Sequence, residues 1–274
     1  MKTRLASIRT VTSIAGTTLM GAAVTASCVL AQMPPTPDFD PQSDLISLHY
    51  DHAPDQDDGH SAAADRTLLE SIFGREWLST HVVAVSGTYG LNKDQFNPAS
   101  DAVMEAAFDE TGGWLSAHRD WDGTVAALAG RWQAEIESRG DVWVKEGGQS
   151  DLTAAIVRQL RRKAPDLPVR ERIHVIQHSN WNEEQTTPEA LDYVRRRVDY
   201  IRIPDANTFL NIAGGNAEFQ AAATAHPVFG PIWEAAFAYY DPAERLDFSD
   251  TGELLFLLGL GQMPIDDFRE HYLE

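Results

Sequence analysis

Cysteine is almost missing from this 274-residue chain: Cys28 is the only one. It lies in an N-terminal stretch in which Lys2, Arg4 and Arg9 precede an uncharged run, 11–31, with small-residue sites at Val24-Thr25-Ala26 and Val29-Leu30-Ala31. That layout reads as a secretory signal peptide, 1–31, cut after Ala31. Cleavage leaves no cysteine, so disulfides cannot hold the exported chain together in the periplasm or outside the cell. A hydrophobic core must do so instead.

An uncleaved anchor is the rival reading of 11–31: the length suffices, but many Ser, Thr and Gly residues make a weak span. Thr25-Ala26-Ser27-Cys28 is also similar to a bacterial lipoprotein box, without the usual aliphatic residue three positions before the cysteine. A lipid on Cys28 is the second alternative.

Basic residues are scarce as well, 22 Lys and Arg against 41 Asp and Glu, for a formal charge of -19. Loss of Lys2, Arg4 and Arg9, with no acidic residue, takes this to -22. Nucleic-acid backbones and anionic membranes would be repelled, which argues against both as partners and leaves a homo-oligomer open. The nine histidines are scattered singly, with no His-Glu-x-x-His pair, so zinc has little support. A Walker phosphate loop is absent too, since Gly147-Gly148 lacks a following Gly-Lys-Ser/Thr.

What is present is an alternation. After a Pro-rich linker, 32–44, one α/β domain, 45–274, begins. Strand-like runs at 45–50, 80–86, 141–145, 173–177 and 200–203 alternate with helix-like ones at 59–73, 101–118, 123–138, 152–163, 188–197 and 254–260. The first helix has Ala64, Leu68 and Ile72 on one face; Val125, Leu128, Ala129, Trp132 and Ile136 share a face in 123–138. This order predicts a mainly parallel sheet with helices on both faces. Loops after the strands, where ligands collect in such sheets, then share one rim.

The densest chemistry on that rim is a turn with Asp51, Asp55, Asp57 and Asp58 between the first strand and its helix. Crowded carboxylates need a cation, a hydrogen-bonding substrate or strong solvation. An EF-hand does not fit, because Gly59 at its sixth position puts Pro54 where the first carboxylate belongs. Oxygen ligands point to calcium first and magnesium second. The rival reading is a solvated acidic loop whose last Asp caps the helix.

The turn, together with Gly147-Gly148-Gln149-Ser150-Asp151-Leu152 and Ser249-Asp250-Thr251-Gly252-Glu253, resembles the nucleoside hydrolase family, whose motifs include D-x-D-x-G-x-D-D and G-P-L-T-N-I-A. It is closer to a secreted, divergent bacterial branch with a D-x-x-x-E-x-D-D turn and a later H-G-P-L-G, here His226-Pro227-Val228-Phe229-Gly230. The resemblance implies a Rossmann-like nucleoside hydrolase fold and an exported, calcium-dependent hydrolase of N-glycosidic bonds in nucleosides or related ribosides. It implies metal ligation by Asp58, Asp250, Asp51 and the Ser150 carbonyl, with Asp57 on ribose hydroxyls and Asn182, Asn207 and Trp181 as further substrate contacts.

The family's metal-binding proton acceptor falls on Ala53, so Asp55 or Asp51 must take that role. Its usual histidine before the late Asp falls on Ser249, which leaves His226 or His178 as the acid. Ala53 also favours the alternative, a catalytically impaired nucleoside- or sugar-binding protein of the same fold. Tyr89, Trp181 and Trp233 are candidates for ring stacking, against ordinary packing.

Overall fold

A computed structural model describes residues 33–274; the signal-peptide reading of 1–31 and the Cys28 lipid alternative lie outside these residues. Six parallel strands form the central sheet: β1 (Leu45–Tyr50), β2 (Val82–Ser86), β3 (Trp114–Ser116), β4 (Val142–Gly147), β5 (Ile173–Gln177) and β6 (Asp199–Arg202). Their order is β3-β2-β1-β4-β5-β6. The expected α/β class, a parallel sheet covered by helices, is what the chain forms.

Side-chain alternation explains the two layers. In β1, Ile46, Leu48 and Tyr50 enter one apolar core and Leu45 enters the other. Helices Asp57–Phe73, Asp101–Phe108, Gly230–Tyr239 and Thr251–Leu257 cover the first face. Helices Trp121–Glu137, Asp151–Lys163 and Pro188–Arg197 cover the second. The expected face Val125, Leu128, Ala129, Trp132 and Ile136 is buried there. Parallel central strands buried on both sides need such near-continuous apolar runs, which is why they were legible.

Some elements depart from the sequence reading. The run 101–118 is not one helix. It stops at Phe108, passes through a short 3-10 turn, and turns at Gly112 and Gly113, whose φ values of +106° and +83° suit glycine, before β3 begins. The polar segment after β5 is a helix, Asn180–Gln185, capped by the Ser179 hydroxyl accepting from the Asn182 amide. A second, two-stranded sheet that no sequence run marked pairs β7 (Asn211–Ala213) antiparallel with β8 (Arg245–Asp247) and sets Asn211 opposite Asp247. In the first helix Ala64 and Leu68 are buried, whereas Ile72 is 41% exposed.

The Pro-rich segment is packed at its end. Phe39 meets the rings of Phe73 and Trp77, and Trp77 Nε1 donates to the Pro41 carbonyl at 2.7 Å. Buried Asp44 accepts from the Asp141 amide and from Trp143 Nε1. The last residues before β1 thus belong to the domain.

Leu48 and Ile72 give a direct check on the layers. Leu48→Ala should cost about 2–5 kcal/mol in urea unfolding, and Ile72→Ala less than about 1 kcal/mol. Equal costs would contradict this assignment of buried and open faces.

Candidate functional site

The strand order reverses between β1 and β4: the chain leaves β1 towards β2 on one side, and β4 continues to β5 on the other. Loops after β1 and β4 therefore diverge and leave a crevice at their carboxyl ends. Tyr50 and Gly147 are register partners at that end. A cleft of about 130 Å³ opens there, and Asp51, Asp55, Asp57, Asp58, Asp247 and Asp250 all line it.

The turn after β1 is tightly specified. His52 adopts φ +52°, and its buried ring lies against Tyr50, Phe96 and Tyr239. Asp51 is buried: Oδ1 accepts from the Ala53 amide at 2.9 Å and Oδ2 from Gln149 Nε2 at 2.6 Å. Asp58 Oδ2 accepts from the His52 amide at 2.5 Å, while Asp58 Oδ1 is buried with no hydrogen-bond partner. The helix N-cap is Gln56, with no side-chain capping bond, so Asp58 is not a cap. The last Asp of the turn therefore does not cap the helix, contrary to the rival reading of a solvated acidic loop.

Glycine allows the next loop to approach. A Cβ on Gly148 would stand 2.4 Å from Thr88 Oγ1 and 2.8 Å from Asp51 Cβ. Gln149 then ties the rim together, receiving the Gly90 amide on Oε1 and donating from Nε2 to Asp51 and to Asn182 Oδ1. Asp250 comes from the turn before the helix Thr251–Leu257; its Oδ1 is 2.9 Å from His178 Nε2.

Like charges and burial shift these acids. Burial pushes the Asp51 pKa up to about 7 against the hydrogen bonds that favour its carboxylate. Burial, then Asp51 and Asp250, drives Asp58 well above the usual carboxylate range. Burial also opposes the charge on Asp250, but Lys145 and His178 outweigh it and hold its pKa below the ordinary value. Burial disfavours a charged His178, yet hydrogen bonds to Asp205 and Asp250 raise its pKa to about 10.

The candidate residues fall into two groups. Asp51, Asp55, Asp57, Asp58, Asp250, Trp181, Asn182 and Asn207 line the cleft; Trp181 is 40% exposed at its mouth. Ser150 and His226 do not line it. The Ser150 carbonyl accepts the Ala154 amide inside its own helix, and its hydroxyl donates to Glu146 at 2.5 Å. His226 Nδ1 accepts from the Val228 and Phe229 amides, and its ring stacks on Phe229. His178, the other candidate acid, lines the cleft but is engaged with Asp250. Trp233 is core, with Nε1 donating to Thr67 Oγ1, and Tyr89 hydrogen-bonds His118.

Sequence reasoning did not single out Gln149, Lys145, Asp247 or Arg245. Asp247 carried the only available signal, a carboxylate three residues before Asp250. Family models, curated proteins and solved structures yield no match to this chain. The nucleoside hydrolase resemblance rests on the quoted motifs alone.

The donor chemistry fits a hard cation. Carboxylate oxygens dominate the cleft, and the orphaned Asp58 Oδ1 lacks a partner that an ion would supply. Among the described residues, no three His, Cys, Asp or Glu side chains already stand as a complete metal-ligand group.

The acids also set a pH dependence. Asp51 keeps its proton to a higher pH in the fold than in the unfolded chain, so the stability it contributes is present below about pH 4 and lost as pH rises through about 7. In chelator, Asp51→Asn should flatten the fall in stability between pH 4 and 7 by up to about 1.4 kcal/mol per pH unit, read from urea midpoints. An unchanged slope would show that Asp51 does not titrate in this window.

Proposed function

We propose that the chain is an exported, calcium-dependent hydrolase of N-glycosidic bonds in nucleosides or related ribosides. The observation that carries this reading is the meeting of Asp51, Asp57, Asp58 and Asp250, from turns far apart in sequence, in one cleft at the reversal of strand order. The cleft is well below the about 300 Å³ at which drug-sized pockets begin, so it suits one sugar ring with the remainder of the ligand at the open mouth.

Asp58, Asp250 and Asp51 would hold the ion. A bound calcium ion would orient a water and make it more acidic. Asp51, which lines the cleft with Asp58 and Asp250, is placed to accept that water's proton. In this reading it supplies in space the carboxylate that Ala53 lacks in sequence, and Asp55, exposed at the mouth, is the less suitable acceptor. Asp57, Asn182 and Asn207 offer hydrogen bonds to ring hydroxyls, and Trp181 a face for the leaving group. Water adds at the anomeric carbon, the C–N bond breaks, and its electron pair departs with the base.

Neither candidate imidazole is placed to protonate that base: His226 lies outside the cleft and His178 is bound to Asp250. The reading therefore favours ribosides with leaving groups that need little protonation. Buried Ala53 supports the second reading, a ligand-binding protein of the same kind without catalysis.

A panel of nucleosides and p-nitrophenyl riboside, assayed with calcium and with chelator, separates the two. The hydrolase reading expects calcium-dependent release, faster for nitrophenolate than for purine bases, and a loss of about 10²–10⁴-fold in Asp51→Asn. Saturable binding with no product would establish the binder; neither binding nor product would remove both.

A further inference from the structure

Lys145 is the largest unexplained charge near the cleft. It sits in β4, two residues before the glycine that lines the cleft floor, and its side chain is fully buried. Its ammonium lies 4.2 Å from the centroid of the Tyr50 ring and 3.3 Å from Asp65 Oδ2, yet it has no hydrogen-bond partner. A buried ammonium without hydrogen bonds is costly, so the charge must be held by its surroundings.

Gly147 shows where that charge is directed. A Cβ there would stand 2.6 Å from Lys145 Nζ and 3.1 Å from Asp250 Cβ. Glycine at 147 thus leaves no side chain in a space that the ammonium, the His49 carbonyl and Asp250 all border. Burial works against the lysine charge, but Asp65, Asp250 and Asp58 outweigh it and raise its pKa. Asp65, in turn, accepts from the Tyr50 hydroxyl at 2.6 Å and does not line the cleft.

We propose that Lys145 is a built-in counter-cation of the acidic cleft, standing in for one exogenous positive charge and thereby lowering the affinity of Asp58 and Asp250 for a divalent ion. This rests on the cleft being a calcium site. Lys145 touches neither the sugar nor the reacting atoms; it is a positioning residue that sets the local charge. A consequence is a cleft that keeps its shape with the ion absent and exchanges it readily.

Calorimetric titration of calcium into the chelator-treated chain tests this with two variants of opposite sign. Lys145→Met removes the competing charge and should tighten calcium binding by about tenfold or more. Asp65→Asn keeps the shape but removes the carboxylate that shares the ammonium, and should weaken binding by a similar factor. A merely structural role would weaken both. Equal or weaker binding in Lys145→Met, with binding intact in the wild type, overturns the proposal and leaves the calcium reading standing. If the wild type binds no calcium, that reading falls, and the proposal stands only if Lys145→Met gains binding. Should Lys145→Met not fold, Lys145→Gln takes its place with the same outcomes: tighter calcium binding than the wild type supports the proposal, and equal or weaker binding overturns it.

Discussion

Burying several carboxylates in one crevice is the constraint around which this structure is arranged. Asp51, Asp58 and Asp250 are almost removed from water; Asp51 and Asp250 raise the cost of ionising Asp58, and Asp250 that of ionising Asp51. Proteins offset such repulsion with hydrogen bonds, fixed cations, shared protons or a bound ion. The first two are present here: the His52 and Ala53 amides and Gln149 on the acids, and Lys145 and His178 holding the charge of Asp250. The orphaned Asp58 Oδ1 is the part of the arrangement still without a partner.

The sheet makes this crowding geometrically available. Reversal of strand order at β1 and β4 opens a crevice, glycines at 147 and 148 let the β4 loop approach the β1 turn, and the β7–β8 pair brings Asn211 and Asp247 to the same edge. None of these contributions is local in sequence. Asp250 lies almost two hundred residues beyond Asp51, and they meet because the helix Thr251–Leu257 packs its apolar side onto the same core as the helix Asp57–Phe73.

The same distinction governs what the sequence revealed. Strands β1, β2, β4 and β5 stood out because parallel strands inside the sheet are largely apolar, edge strand β6 showed only as the short run 200–203, and the acidic turn stood out because four carboxylates share eight residues. Edge strand β3 is only three residues long and follows two glycines, too short for any period to show. Lys145 at the end of an apolar run looks like a solvated terminus; only the fold puts Asp65, fifteen residues after Tyr50, beside it. Ser150 and His226 show the converse: motif position suggested roles, while the helix backbone engages the Ser150 carbonyl and a local turn engages the His226 ring.

The central claim is that the acidic crevice is a calcium-and-sugar site. Its most direct test is a crystal structure of the chain with calcium and ribose. The account predicts one ion with oxygens of Asp51, Asp58 and Asp250 at about 2.3–2.6 Å and ribose hydroxyls on Asp57. Crystals grown at high calcium that show water alone between these carboxylates would contradict it.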